Sequence, residues 1–514
     1  MLNNLFLRPS WFPFAVLVWL LSGVKGISEQ TASSIPDPTG PAIRFSSQPA
    51  VSPDGATVVF SWRRDLWSAP VEGGRAVRLT SHPSTDSFPL FSPDGQTLFF
   101  GSFRDGPRHL YSMPAGGGPI TRLSHHSTGL TPETVYPDGS RVVFRALRDH
   151  PGFQPRRLFT LPADRHDGAE TLLFDVDANS VSIHPNGNRL LLVRNSAQGH
   201  RKGYRGSAAP SIWHYDKESR EFTLLIEEET GAHAPLWRPD GESYYYVSER
   251  DGTWNIWLHN LREDTHRQRT FFEDDGVRDP SLSADGRVMV FNRGVDLWVW
   301  HPESGEVPAM IPLYHHWEDG QPELEVRQIR GTSDADFSKS GLEIAFASEG
   351  RLFIMDTILR RPNLLFDRSD REYSSPRFSP DGRHLHVIED TGEHRRLIRL
   401  ERADPAVFWW KARSFDRKVI AGEEWPVHSY QFSHDKKKLA WMEGNGRLMV
   451  GDQDGGEPRL VHQSWEPFSY DWSPDGRWMA VATRDPAYNR DIHIVSVDGQ
   501  RNADRDRGHH HHSN

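Results

Sequence analysis

The 514-residue sequence contains no cysteine. That excludes disulfides, thiolate metal sites and cysteine nucleophiles. It leaves the redox compartment open, because a large β core needs no covalent staple. Long helical periodicity is also missing, which argues against an α-helical or α/β protein. The formal net charge of −10 is spread along the chain without a basic block, which argues against nucleic acid as a partner. No Gly-x-Ser-x-Gly elbow occurs, so a self-contained α/β-hydrolase is not expected.

What the sequence does have is one small turn, written ten times. Clean copies are Ser52-Pro53-Asp54-Gly55, Ser92-Pro93-Asp94-Gly95, Ser379-Pro380-Asp381-Gly382 and Ser473-Pro474-Asp475-Gly476. Looser copies begin at Tyr136, His184, Arg238, Ser283, Ser338 and Ser433. Successive copies lie roughly 40 to 55 residues apart, the period of a propeller blade. Proline presets φ, aspartate caps the turn and glycine takes the positive φ that follows. Apolar runs come next, such as Val58-Val59-Phe60 and Tyr244-Tyr245-Tyr246, and read as strands with one buried face. The first copy contains a whole unit. Strands at Pro49-Ala50-Val51, Val58–Phe60, Asp65-Leu66-Trp67 and Ala76-Val77-Arg78-Leu79 make four antiparallel strands, one blade. The 18 Trp and 27 Phe suit an all-β core filled by large rings.

The expected architecture is all-β: a six-bladed β-propeller over 42–307, a linker over 308–331, and a partial, about four-blade, second β-propeller over 332–500. The tenth unit runs through Trp478–Val481 and Ile492–Val495 into a polar segment, so its outer strand is expected to be missing. Residues 501–514, with His509 to His512, read as a disordered tail, a truncated or frame-shifted end or a cloning remnant. At the other end, Arg8, the apolar run Trp11 to Leu21 and the small residues near Gly26 read as a signal peptide over 1–26, or else an uncleaved anchor. A Ser/Pro/Gly-rich leader over 27–41 follows. The expected location is periplasmic or secreted, without stable membrane insertion after signal cleavage.

The series Pro49-x-x-Ser52-Pro53-Asp54-Gly55, Asp65-Leu66-Trp67, Gly73-Gly74-x-Ala76-x-Arg78-Leu79-Thr80 resembles the propeller repeats of tricorn-type proteases and, more loosely, of TolB. A sharper likeness lies in the fourth unit. His200-Arg201-Lys202-Gly203-Tyr204-Arg205-Gly206 with Ile212-Trp213, and then Tyr246 to Gly252 with Ile256-Trp257, are similar to a tricorn first propeller. The resemblance covers about Ala42 to Gly499. It implies a non-catalytic propeller portion of an exported serine peptidase that filters or channels peptides, with the catalytic core beyond residue 514. No catalytic residue can therefore be carried over, and no cofactor or metal is expected. One departure stands out. The family follows Ser-Thr-Gly with paired arginines that anchor a peptide carboxylate, whereas Ser127-Thr128-Gly129 is followed here by Leu130-Thr131. The alternatives are a TolB-like periplasmic scaffold for protein–protein interaction and a propeller attached to another exported hydrolase.

Substrate-channel candidates are His200, Lys202, Tyr204 and Arg205, on a long excursion from Ser196 to Ser211 between two strands. Long loops on rigid scaffolds collect binding residues. Expected partners are peptides or proteins, with homo-oligomerisation open. The pairs His125-His126 and His315-His316 lack an H-E-x-x-H helix and read as surface loop histidines. Asp452-Gln453-Asp454-Gly455 begins like a calcium loop without the distal glutamate, and reads as a hairpin turn. Ser248 to Trp254 has the wrong spacing for a sialidase Asp-box and reads as a turn between strands.

Overall fold

The computed structural model describes residues 40–148, 156–164, 168–195, 203–206, 208–316, 332, 334–366, 368–464, 466–484, 490–498 and 502–503. The 1–26 segment lies outside these residues, as do most of the leader and His509 to His512. Among the described residues there is no α-helix, and a 3-10 turn at Trp409–Lys411 is the one helical element. Ten four-stranded sheets follow one another, each built from consecutive strands in simple order. The first comprises Ser47–Val51, Thr57–Trp62, Asp65–Pro70 and Val77–Arg78. Successive strands within it are antiparallel.

The second strands of the first six sheets are buried on both faces, not one. Val58, Val59 and Phe60 are consecutive and fully buried. Their alternation is divided between two neighbouring sheets. Val58 and Phe60 pack with Val290, Leu297 and Val299 of the sixth sheet. Val59 packs with Leu98, Phe100 and Tyr111 of the second. The same division continues from the second sheet to the third, third to fourth, fourth to fifth and fifth to sixth. The first six sheets are therefore joined face to face in a closed circuit. This is a β-propeller fold, in which no sheet could bury its apolar faces alone.

The repeated turn binds itself and its neighbour. Ser52 Oγ donates to Asp54 Oδ1 at 2.6 Å, Ala56 N donates to the same oxygen, and Thr57 N donates to Ser52 Oγ. The pattern recurs at Ser92, Ser283, Ser379, Ser433 and Ser473. Serine first, then backbone N–H, holds the Asp54, Asp94 and Asp435 carboxyls below their ordinary range. Their contribution to stability is thus present above that range and lost as pH falls. Turns also pack side by side. A Cβ on Gly286, at φ +73°, would lie 2.8 Å from Pro239 of the preceding turn. Ala284 N donates to Pro53 O at 3.0 Å, which closes the row.

After the sixth sheet the chain returns to the first. Leu313–Tyr314 pairs parallel with Gly74–Arg75, and Ala42 bridges Tyr314. Three sequence expectations are corrected here. Ala309–Met310, inside the stretch read as linker, is the fourth strand of the sixth sheet. Asn502–Ala503 supplies the fourth strand of the tenth sheet, within the stretch read as a tail. Both strands have two residues, too short to show a period. His315 is fully buried against the Trp62 and Trp67 rings, with centroids 5.0 and 6.1 Å away, and is not a surface histidine. The hairpin readings hold: Asp452 Oδ1 accepts from Asp454 N and Gly456 N, and Ser248 to Trp254 connects two strands of the fifth sheet.

Sheets seven to ten are joined consecutively by three apolar clusters. They meet the first sheet at its turn between second and third strands and at Arg44, just ahead of its first strand. Arg64 Nη1 pairs with Glu349 Oε1 at 2.6 Å, Arg63 Nη2 donates to Arg368 O at 3.0 Å, and Arg44 Nη1 donates to Thr391 O at 2.7 Å.

Candidate functional site

The first strands of the first six sheets line one cavity of about 1460 Å³. They are Ser47–Val51, Asp86–Phe91, Leu130–Val135, Ser180–Ile183, Ala232–Trp237 and Arg278–Leu282. Prolines of the repeated turns, including Pro53, Pro93, Pro137, Pro185 and Pro239, form one rim. Five of the six strands carry a register shift against their neighbour, and the fourth runs straight. At four shifts the residue preceding a proline is left-handed: Gln48 (φ 54°), Phe88 (φ 55°), Ala234 (φ 49°) and Asp279 (φ 47°). Proline cannot donate to a ladder, so a strand holds it at a bulge, and a bulge re-aims the neighbouring side chain. In the third strand Glu133 follows Pro132 at the shift. The inner wall therefore presents Gln48, Phe88, Glu133, Ala234 and Asp279 to the lumen.

Side chains lock these strands around the circuit. Gln48 Oε1 accepts from Phe88 N at 3.0 Å, Asn179 O accepts from Arg145 Nη1 at 2.7 Å, Ser182 Oγ accepts from Trp237 N at 3.0 Å, and Ser281 Oγ accepts from Val51 N at 3.1 Å. These bonds satisfy backbone groups that an inner edge strand would otherwise leave open.

The lumen holds both charge signs, unevenly paired. Glu133 Oε1 lies 3.0 Å from Arg145 Nε, and Arg278 and Arg238 pair with Asp275 and Glu303. Arg108 is different. Its Nη1 donates to Thr131 Oγ1 at 3.1 Å, and its guanidinium lies 4.8 Å from both the Phe88 and the Phe103 ring centroids. Among the described residues it has no carboxylate within ion-pair distance. Its stem runs over Gly101, where a Cβ would come within 2.7 Å of Arg108 Cδ. Glycine within a strand marks such a close approach. Burial pushes the Glu133 carboxyl up to about 7 against the pull of Arg145, and raises Asp279 as well. Burial also lowers His233 to about 4, so its ring is neutral at pH 7. A fixed guanidinium between two rings, in a lumen whose carboxyls are held toward their neutral forms, can bind an anionic group by charge-assisted hydrogen bonds.

Of the residues expected at the channel, His200 and Lys202 lie outside the described residues. Tyr204 and Arg205 sit on the connection between the second and third strands of the fourth sheet. Arg205 Nη1 pairs with Glu229 Oε2 at 3.3 Å, and both are mostly exposed. Gly203 N donates to the buried Glu249, whose other oxygen accepts from Trp254 Nε1 at 3.0 Å. The loop's flanks, Asn195 and Pro210, line the cavity, while Tyr204 and Arg205 do not. Sequence reasoning passed over Arg108, Glu133 and Asp279. Two signals pointed to them: the prolines inside otherwise strand-like runs, and the glycine in Leu98-Phe99-Phe100-Gly101.

Four-stranded sheets packed face to face around a side-chain-lined lumen define a β-propeller protein with an accessible central cavity. Residues 43–306 match the tricorn protease N-terminal β-propeller domain, and the chain belongs to that family. It is 23% identical over 302 residues to the tricorn protease homolog of Saccharolobus solfataricus, covering 58% of this chain and 26% of that protein. It is 23% identical over 472 residues to tricorn protease homolog 1 of Streptomyces coelicolor, covering 90% of this chain and 42% of that protein. The chain thus spans less than half the length of either relative. Among solved structures it is similar to the tricorn protease, at TM-score 0.47 and 20% identity over 90% of this chain and 44% of that one. It is also similar to TolB from Acinetobacter baumannii, at TM-score 0.33 and 16% identity over 55% of this chain and 63% of that one.

Proposed function

We propose that this chain is the non-catalytic, substrate-handling portion of an exported tricorn-like serine protease. Residues 42–307 are its six-bladed propeller, and the sheets after 332 are about four blades of a second. The first propeller's lumen filters or channels peptides, and Arg108 holds a carboxylate as one passes. The observation that carries this reading is the lumen arginine with no carboxylate of its own. The apolar N-terminal run supports export to the periplasm or beyond as part of this reading. The loop that carries His200, Lys202, Tyr204 and Arg205 meets the peptide outside the lumen, and its flanks Asn195 and Pro210 lie in the lumen wall.

Because the chain has no cysteine, the lumen can be blocked at one chosen point. Ser180 lines the cavity and Ser219 lies on an exposed outer turn. Ser180→Cys carrying a bulky maleimide is expected to lose binding of a short fluorescent peptide with a free C-terminus. The unlabelled variant and labelled Ser219→Cys are expected to retain it. Peptide binding indifferent to the lumen label would instead support the TolB-like scaffold, whose outer faces hold protein partners.

A further inference from the structure

A second constellation lies on the outer part of the fifth sheet, apart from the lumen. His259 belongs to the third strand (Asn255–Asn260) and His266 to the short fourth strand (Thr265–Gln268), and the two are register partners. Their rings stack with centroids 4.0 Å apart. Asp264, at the end of the connecting turn, brings Oδ1 to 3.1 Å from His259 Nε2. One ligand atom from each of the three lies within 4.8 Å of the other two. The remaining ring nitrogens have partners of their own. His259 Nδ1 is 2.8 Å from the Tyr244 hydroxyl, and His266 Nδ1 is 3.0 Å from the Tyr246 hydroxyl. Tyr244 and Tyr246 are buried, so their positions are set by the core between the fourth and fifth sheets.

We infer that His259 Nε2, His266 Nε2 and the Asp264 carboxylate form a site for a divalent transition metal ion of the zinc class. Two imidazoles and a carboxylate are the donor set that such ions take, with water completing a tetrahedron. The tyrosine hydroxyls act as the outer partners that fix ring orientation: each Nδ1–H donates to a hydroxyl and each Nε2 lone pair faces the ion. Metal–nitrogen bonds of about 2.0–2.1 Å place ligand atoms about 3.3 Å apart, so atoms now within 4.8 Å of one another must draw closer and the stacked rings must tilt until their Nε2 lone pairs converge. Asp264 is the element free to follow, because its side chain is 89% exposed on a turn. The nearest opposing charge is Arg250, whose Nη2 donates to the Tyr246 hydroxyl at 2.7 Å and pairs with Glu228. The ion would pin the four-residue outer strand to the body of its sheet.

The test must first remove the competing run His509 to His512. In the full chain with these four replaced by serine, Zn²⁺ retained after gel filtration is expected at one ion per chain, and Co²⁺ is expected to give the visible bands of a tetrahedral site. Asp264→Asn, which changes an exposed side chain and leaves the core intact, is expected to weaken Zn²⁺ at least about tenfold, and Tyr246→Phe about tenfold or more. His266→Asn is expected to abolish retention. No stoichiometric zinc in the serine-substituted chain overturns the proposal. So does binding that Asp264→Asn and His266→Asn leave unchanged in folded protein.

Discussion

Arg108→Ala is expected to weaken binding of peptides with a free C-terminal carboxylate by about 10- to 100-fold. A hydrogen bond to a charged group is worth about 1.5–3 kcal/mol, which is that range of affinity. The effect should concentrate on the carboxylate, so amidated peptides are expected to bind wild type and variant alike. Arg108→Lys should recover little. A lysine loses the planar fork and the packing between Phe88 and Phe103, each 4.8 Å from the guanidinium. The same lumen predicts a pH dependence. Glu133 is raised to about 7, so it is mainly neutral below that pH and ionised above it. Asp279, also raised, faces the same space, while Arg145 opposes the rise at Glu133 and Arg278 the rise at Asp279. Affinity for an anionic peptide is therefore expected to fall as pH rises through about 7, and Glu133→Gln to flatten that fall. Fluorescence anisotropy across pH 6 to 8 measures both effects. Equal loss for amidated and free peptides would mean that Arg108 serves only packing.

Asp86→Ala is expected to produce the largest loss of stability, about 3–5 kcal/mol, the usual cost of removing one partner of a buried ion pair. Asp86 is fully buried, and both its oxygens accept from Arg104 Nη2, at 2.9 and 2.8 Å. Arg104 is itself held over the Tyr111 ring at 5.0 Å and bonded to Ser102 Oγ at 2.9 Å, so it cannot simply leave. The variant strands a guanidinium beside the interface between the first two sheets. A chain of ten sheets need not unfold in one step, so hydrogen exchange in Thr97–Ser102 and His109–Pro114 is the appropriate measure. The double variant Asp86→Ala/Arg104→Met is expected to regain most of the loss. A change under about 1 kcal/mol would show that water reaches this pair.

The architecture was legible because one turn repeats with its own hydrogen bonds inside it. Ser52, Asp54 and Gly55 need only each other, so their signature survives in the sequence. The two-residue strands Ala309–Met310 and Asn502–Ala503 were not legible, because two residues cannot show alternation. The double burial of Val58–Phe60 depends on neighbours about 40 and 230 residues away, which no local pattern reveals. The lumen was half legible. Pro49, Pro89, Pro235 and Pro280 mark the bulges, yet nothing in the sequence says that Arg108 meets Thr131. After Ser127-Thr128-Gly129, Thr131 meets Arg108 from the adjacent sheet, which donates to its hydroxyl at 3.1 Å.

The most direct measurement of the central claim is where a bound peptide lies. A photo-reactive peptide with a free C-terminus should be cross-linked to the intact chain and the adducts located by mass spectrometry. The account predicts adducts on the inner strands, at Gln48, Phe88, Thr131, Ser180 or Ala234. Adducts confined to outer strands such as Phe222–Ile226 would contradict it.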